Sequence, residues 1–238
     1  MPGAPCNTAV VKPSEYTPLS VLGLIHVLNQ VLPADVLHVV PGGGGVGKAL
    51  SEHDGVDKIM FTGSTKTGQA IMRSAADGLA RLTLELGGND AGVVLPDVDL
   101  FWGAFINTGQ TCAALKRLYV HEDVYDSVCE VLVGVAQQMP MGNGREEQNV
   151  LAPLQNKQQY DIVAGLVEDA TQGDGRVLIG GDPEPDQPGY FYPTTLVADL
   201  PDDNPLVAQE QKGCGNSSGD PSGSLPREWC TGEGCCGY

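Results

Sequence analysis

The chain has 238 residues, 41% of them hydrophobic, and a formal net charge of -17 from 30 acidic and 13 basic residues. That length accommodates one large or two modest domains with a real hydrophobic core. The acidic balance argues against binding to nucleic acid or to an anionic membrane, since both require a basic face.

The cysteine distribution predicts a reduced, intracellular protein. Four of the seven cysteines crowd the C-terminal end, which leaves Cys6, Cys112 and Cys129 in the body of the chain. Cys129 lies among apolar residues at helical spacing and is predicted to belong to the core. The sequence has no run of about 18 apolar residues and no signal-peptide pattern at its N-terminus. We therefore expect a cytoplasmic protein.

Strands and helices alternate in the first part of the chain. Short apolar runs predict the strands, and apolar residues at helical spacing predict the helices between them. The predicted order is strand 9–12, helix 19–32, strand 36–40, a helix after the glycines at 42–47, strand 58–62, helix 67–76 and strand 82–86. This rhythm is typical of an α/β fold with a Rossmann-like parallel sheet and right-handed crossovers.

After Ala91 the pattern restarts, and a second α/β domain is predicted. Its elements are strand 92–95, a helix from about Asp99, strand 118–121, helix 124–138, helix 155–173, strand 176–179 and strand 192–197. We place the boundary near Gly88, where the rhythm typical of dinucleotide-binding folds gives way to the second domain, so that the two domains cover residues 1–88 and 89–211.

The composition changes at Lys212, beyond which Gly, Ser, Pro and Cys dominate and no periodicity survives. Residues 212–238 are therefore predicted to be a disordered tail. Its adjacent Cys235 and Cys236 lack the paired Cys-x-x-Cys spacing of a zinc site, and we predict no metal site.

Two turns from strand to helix are candidate anion sites. Gly42-x-x-x-x-Gly47 lies where backbone N–H groups and a helix N-terminus would meet a nucleotide diphosphate. By itself this signal is weak, because glycine-rich turns are common and the Rossmann spacing is met only loosely. Ser64 follows the next strand and offers a hydroxyl to an anion. Alternatively, Ser64 simply caps the helix that follows it.

A carboxylate and a thiol stand out in the middle of the chain. Glu85 ends an apolar run and precedes Gly87 and Gly88, a pattern typical of a strand end at which the backbone turns sharply. Cys112 lies among the small residues 107–114, which can turn tightly and start a helix. A thiol near backbone N–H donors has a lowered pKa. Taken alone, a glutamate beside two glycines is usually a turn carboxylate, and a single cysteine among small residues is usually a packed or incidental thiol.

The order of the motifs is more specific than any one of them. Lys-Pro-Ser-Glu at residues 12–15 is followed by the glycine turn, by Glu-Leu-Gly-Gly from Glu85, and by Gly-Gln-Thr-Cys ending at Cys112. Over roughly residues 7–211, this arrangement resembles the aldehyde dehydrogenase superfamily. The resemblance implies an NAD(P)-dependent oxidoreductase that converts a small-molecule aldehyde to a carboxylic acid through a thiohemiacetal and a thioester. It puts the catalytic nucleophile at Cys112 and the general base at Glu85.

The resemblance also implies the cofactor contacts. The family's lysine and glutamate that contact the adenine ribose correspond to Lys12 and Glu15, and its glycine loop beside the cofactor corresponds to Gly42–Gly47. Ser64 matches a phosphate-contacting serine, and Glu210 matches the carboxylate that holds the nicotinamide ribose. A carboxylate at Glu15 accepts hydrogen bonds from ribose hydroxyls but repels a 2′-phosphate, so NAD is favoured over NADP.

The chain departs from the family pattern at both ends. The family's asparagine donor lies in a Pro-Trp-Asn motif upstream of the segment that starts at Lys12, and residues 212–214 stand where Phe-Gly-Pro should follow Glu210. Both domains are thus expected to be incomplete, with the homo-oligomerisation segment of the family absent. Turnover well below that of full-length members is expected, because losing one oxyanion donor alone costs about 10²–10³ in kcat.

Three interpretations remain open at this level. The first is an aldehyde dehydrogenase, and the second is a truncated or frameshifted nucleotide-binding remnant without activity. The third is a purely structural descendant, which would keep the core pattern without needing Cys112 or Glu85. Both residues are present.

Overall fold

A computed structural model of the chain describes residues 7–94, 100–173, 175–184, 186–210 and 215–219. The chain divides into two compact units, one ending at Leu86 and the other beginning at Gly87. The sequence places its domain boundary close by, at Gly88. In the described ranges, no helix is both long enough and apolar enough to cross a membrane.

The first unit alternates strands and helices. Its elements are β1 (Ala9–Val11), α1 (Leu19–Leu28), β2 (Leu37–Val39), α2 (Gly44–Ser51), β3 (Lys58–Gly63), α3 (Thr65–Ala75) and β4 (Arg81–Leu86). β1 pairs with β2 and β3 pairs with β4, in both cases in parallel. The predicted α/β pattern with parallel strands is thereby confirmed, although the described strands form two separate two-stranded sheets.

The second unit is built on a mixed sheet. Its elements are β5 (Asp90–Val94), α4 (Leu100–Phe105), β6 (Leu115–Val120), α5 (Tyr125–Gln138), α6 (Lys157–Gln172), β7 (Arg176–Ile179), β8 (Thr195–Leu200), α7 (Pro205–Ala208) and β9 (Gly215–Gly219). The strand order is β5-β6-β9-β8-β7. β7 runs antiparallel to β8, and the other pairs are parallel. Short 3₁₀ helices at Ile106–Gly109 and Glu122–Val124 connect these elements.

Two apolar clusters form the core of the second unit. α5 buries Tyr125, Cys129, Leu132 and Ala136, which recur at helical spacing along one face. This face belongs to a cluster with residues of α4, β6 and β8, and a second cluster joins α6, α7 and β8. Burying each large aliphatic or aromatic side chain contributes about 1.5–3 kcal/mol. The prediction that Cys129 lies in the core is confirmed.

The predicted disorder of the tail is wrong for Gly215–Gly219. These residues form β9, which pairs in parallel with β6 on one side and with β8 on the other. Composition measures how much apolar surface side chains can bury, whereas strand pairing uses backbone N–H and C=O groups that Gly and Ser also carry. The rest of residues 212–238 lies outside the described residues.

The expectation that a helix starts at the Cys112 segment is also wrong. Cys112 lies in a turn, and the next element is the strand β6, which begins at Leu115. Alternate residues of β6 are buried, which is the two-residue period of a strand covered on one face. The thiol is therefore presented from a turn between a 3₁₀ helix and a strand, and not from a helix N-terminus.

Candidate active site

Lys12 joins the Lys-Pro-Ser-Glu segment to the glycine turn in the first unit. Its ammonium group donates to the carbonyl oxygens of Gly42 and Pro13, each at 2.7 Å. The carboxylate of Glu15 lies 3.6 Å from the same ammonium group. A hydrogen bond from the backbone, and to a smaller extent the charge of Lys12, lower the pKa of Glu15. Lys12, Glu15 and Gly42 therefore form one cluster, joined by a hydrogen bond and an ion pair.

The glycine turn continues directly into α2. The helix begins at Gly44, earlier than predicted, and its N-cap residue, Gly43, has no side chain with which to cap it. A Cβ at Gly44 or Gly45 would meet nothing within 4 Å, and one at Gly47 would lie 3.6 Å from Cε of Lys12. The first-turn N–H groups of an uncapped helix are available to an anion. The open space and the adjacent lysine fit the diphosphate of a dinucleotide.

Ser64 is the N-cap of α3. Its hydroxyl oxygen accepts a hydrogen bond from the backbone N–H of Thr67 at 3.2 Å and lies 2.9 Å from the hydroxyl of the same residue. These contacts are those of the helix-capping alternative. The phosphate-contacting role stays a prediction.

Glu85 lies in the first unit, on β4 beside its C-terminal residue, where it is exposed and paired in register with Thr62 of β3. Two residues further on, Gly87 belongs to the second unit. A Cβ at Gly87 would overlap the carboxylate of Glu210, so this carboxylate rests directly on the bare glycine backbone. Glu210, a candidate cofactor residue, and Gly87, a glycine of the Glu-Leu-Gly-Gly motif, are thus neighbours although they are far apart in sequence.

Asn89, at the end of the Glu-Leu-Gly-Gly-Asn segment, forms hydrogen bonds with two parts of the second unit. Its side-chain amide donates to the carbonyl oxygen of Val207 at 2.5 Å, on α7 just before Glu210. Its backbone carbonyl accepts a hydrogen bond from Nε of Arg117 on β6 at 3.1 Å. Sequence inspection did not single out Asn89, because an asparagine after two glycines is an ordinary turn residue.

Cys112 is exposed and follows a left-handed turn. Asn107, Thr108 and Gly109 have φ angles of 52°, 57° and 71°. Such values are uncommon outside glycine, and for a β-branched residue such as Thr108 they are exceptional. A Cβ at Gly88 would stand 3.5 Å from the carbonyl oxygen of Cys112, so the motif glycine packs closely against the cysteine backbone.

Two polar side chains of the small-residue segment 107–114, which contains the cysteine motif, hold this turn against the segment 152–155. The hydroxyl of Thr108 accepts a hydrogen bond from the N–H of Ala152 and donates to its carbonyl oxygen, both at 3.0 Å. The amide of Gln110 accepts from the N–H of Gln155 at 2.8 Å and donates to the carbonyl oxygen of Pro153 at 3.3 Å. Thr108 and Gln110 therefore anchor the backbone that leads to Cys112, a role that their place in the motif did not reveal.

We expect Cys112 to react with iodoacetamide at neutral pH roughly 10²-fold faster than Cys129. Cys112 is exposed, whereas Cys129 is buried in α5, and burial raises the pKa of the Cys129 thiol. Mass spectrometry of tryptic peptides after timed alkylation measures both rates. In urea the two rates should converge, and equal rates in the native protein would contradict the prediction.

The fold and the two sites define a class of protein. It is an α/β protein with a glycine-rich turn of the kind that binds nucleotides in one unit and an exposed cysteine in the other. Residues 4–213 match the model of the aldehyde dehydrogenase family. A Pseudomonas protein named probable aldehyde dehydrogenase is 43% identical over 200 residues, which cover 79% of this chain and 40% of that protein. The mitochondrial aldehyde dehydrogenase of Leishmania tarentolae is 38% identical over 214 residues, which cover 86% of this chain and 43% of that protein. The chain belongs to the aldehyde dehydrogenase family.

Solved structures show the same relationship. The NAD⁺ complex of an aldehyde dehydrogenase from Bacillus cereus superimposes with a TM-score of 0.86 at 34% identity, over 93% of this chain and 46% of that chain. The chain thus spans somewhat less than half the length of the relatives that it matches.

Proposed function

We propose that this chain is the cofactor-binding and nucleophile-bearing part of an enzyme that oxidises an aldehyde to a carboxylic acid. The observation that carries the proposal is the exposed Cys112 on an anchored turn, in a chain of the aldehyde dehydrogenase family. An exposed thiol is accessible to a carbonyl carbon, as nucleophilic attack requires.

In the proposed reaction, the Cys112 thiolate adds to the aldehyde carbonyl and forms a thiohemiacetal. The negative charge that develops on the carbonyl oxygen is stabilised by the backbone N–H of Cys112. When bound, a nicotinamide ring would accept the hydride that leaves the thiohemiacetal carbon, and loss of this hydride turns the thiohemiacetal into a thioester. As general base, Glu85 takes a proton from the water molecule that hydrolyses the thioester, and Cys112 is released as a thiolate.

The proposed cofactor is NAD, held by Lys12, Glu15, Gly42, Gly47, Ser64 and Glu210. Two features of the first unit support it: the bond from the Lys12 ammonium group to the carbonyl of Gly42, and the uncapped N-terminus of α2. The carboxylate of Glu15 would accept hydrogen bonds from ribose hydroxyls and repel a 2′-phosphate.

We further propose a small aldehyde as the substrate class and a reducing, cytoplasmic location. Cys112 and Cys129 are both free thiols, as expected for a protein in such a compartment. The net charge of -17 disfavours nucleic acid and anionic membranes as partners.

We expect calorimetric titration to show tighter binding of NAD than of NADP, and Glu15→Gln to narrow that difference about fivefold. The reason is charge repulsion, which is worth about 1 kcal/mol at 4 Å in water. Glu52→Gln is the matched control, because Glu52 is also a half-exposed glutamate paired with a lysine, Lys48 at 3.7 Å. Tighter binding of NADP by the unchanged chain would disprove the role of Glu15.

Steady formation of NADH from NAD and several simple aldehydes by the purified chain tests the function as a whole. The alternative, an inactive nucleotide-binding remnant, predicts NAD binding in the titration without NADH formation from any of these aldehydes. Absorbance of NADH at saturating NAD separates the two.

A further inference from the structure

Lys116 is a lysine on the buried face of a strand. In β6 the side chains of Lys116, Leu118 and Val120 point to the same side, and all three are buried. Lys116 is only 1% exposed. Burying an ammonium group is strongly unfavourable unless hydrogen bonds replace its water. A hydrophobic residue would be buried at this position with a smaller free-energy cost, which indicates that the ammonium group of Lys116 has a specific role.

The strand pairing is irregular at the same residue. Asp90 of β5 is paired with Leu115 of β6, but the next residue, Ala91, is paired with Arg117. The register of the pairing with β5 thus skips Lys116, as it does at the extra residue of a β-bulge. Bulges redirect a side chain and are frequent beside functional sites.

The ammonium group of Lys116 donates a hydrogen bond to the carbonyl oxygen of Gly109. Gly109 ends the left-handed turn that began at Asn107, and this bond orients the peptide plane that leads on to Gln110. Backbone in this conformation persists only where surrounding contacts hold it. Thr108 holds the turn from the side of Ala152, and Lys116 holds its last carbonyl from the strand that follows Cys112.

We propose that Lys116 is a positioning residue for Cys112. Cys112 lies in the short loop between Gly109 and Lys116, and the bond between these two residues closes that loop. The loop can then present the thiol in one orientation to a carbonyl carbon. The catalytic consequence rests on the proposed function, whereas the effect on the turn does not.

The test compares Lys116→Met, which keeps the length and removes the donor, with Lys116→Arg, which keeps a positively charged donor. Lys157→Met is the matched control, since Lys157 is exposed and far along the chain in α6. Hydrogen exchange is followed at the amides of Gln110 and Ala114, which bond to the carbonyl oxygens of Asn107 and Thr111 on either side of Cys112.

In Lys116→Met we expect these two amides to exchange about tenfold faster, because the hydrogen bond that stabilises the left-handed turn at Gly109 is lost. We also expect kcat for NADH formation to fall between about tenfold and 10²-fold, because a nucleophile displaced by 1 Å loses that much, while the KM for NAD is unchanged. Lys116→Arg should restore most of both properties, and Lys157→Met should match the unchanged chain.

Unaltered exchange at Gln110 and Ala114 in Lys116→Met would overturn the proposal, as would an unaltered kcat. If circular dichroism shows that Lys116→Met is unfolded, Lys116→Gln is tested instead and judged by the same criteria. If the unchanged chain forms no NADH, the proposed function fails, and the exchange rates alone still decide whether Lys116 holds the turn.

Discussion

Replacing Cys112 with alanine is expected to abolish the aldehyde oxidation that we propose for this chain. The loss in kcat should be roughly 10⁴-fold or more, the scale seen when a covalent nucleophile is removed. Alanine is well accommodated, because the side chain of Cys112 is exposed and its removal leaves no cavity. Binding of NAD should persist, since the contacts proposed for the adenosine end lie in the first unit.

The matched control is Cys129→Ala. Cys129 is buried in α5 and is not proposed to contact the substrate, so the rate per folded molecule should be retained although stability falls. Rates are measured as NADH formed at saturating NAD with several simple aldehydes. NADH formation by Cys112→Ala at the rate of the unchanged chain would refute the role of Cys112.

The second large effect is expected on stability, from Gly180→Ala at the end of β7. Gly180 has a φ of 76°, and a Cβ there would overlap the carbonyl oxygen of Thr194 and come within 2.6 Å of Oγ1 of Thr195. Thr195 begins β8 and is fully buried, and its hydroxyl accepts the N–H of Gly181 at 3.0 Å, so this backbone cannot move aside cheaply. The left-handed conformation costs an alanine about 1–2 kcal/mol, and the overlap adds about 1–3 kcal/mol.

Gly165→Ala is the control for this substitution. Gly165 lies inside α6, and a Cβ there would meet nothing within 4 Å. Because alanine is the better helix former, this variant should be more stable by up to about 1 kcal/mol. Urea denaturation followed by circular dichroism should thus move the midpoint of the second unit down for Gly180→Ala and up for Gly165→Ala. Equal midpoints for Gly180→Ala and the unchanged chain would contradict the expected overlap.

Most helices and strands could be predicted from the sequence, because their apolar periods are local. The main errors fall where local and tertiary signals disagree. The sequence predicts that β6 begins at residue 118, because Lys116 and Arg117 are polar. In the structure β6 begins at Leu115, and Lys116 is buried. A second boundary differs for a local reason: α1 ends at Leu28 and not at residue 32, because the chain beyond it continues in turns, with the N–H groups of Gln30 and Val31 bonded to carbonyl oxygens three residues earlier.

In the candidate site, too, some features follow from the sequence and others only from the tertiary structure. Lys12, Glu15 and the glycine turn were found by their motifs, and the structure adds that Lys12 bonds to Gly42. The sequence allows two interpretations of Ser64, and only the tertiary structure shows that it caps α3. The roles of Glu85 and Cys112 as base and nucleophile stay predictions, since they rest on motif identity.

The sequence by itself determined the family, the order of most strands and helices, and which cysteine and which glutamate are the candidate catalytic groups. These properties are carried by neighbouring residues, through short motifs and apolar periods. Only the tertiary structure decided the left-handed turn at residues 107–109, the buried ammonium group of Lys116 and the place of β9 in the sheet. Each of these depends on hydrogen bonds to backbone groups that lie elsewhere in the fold, and such partners leave no mark in the local sequence.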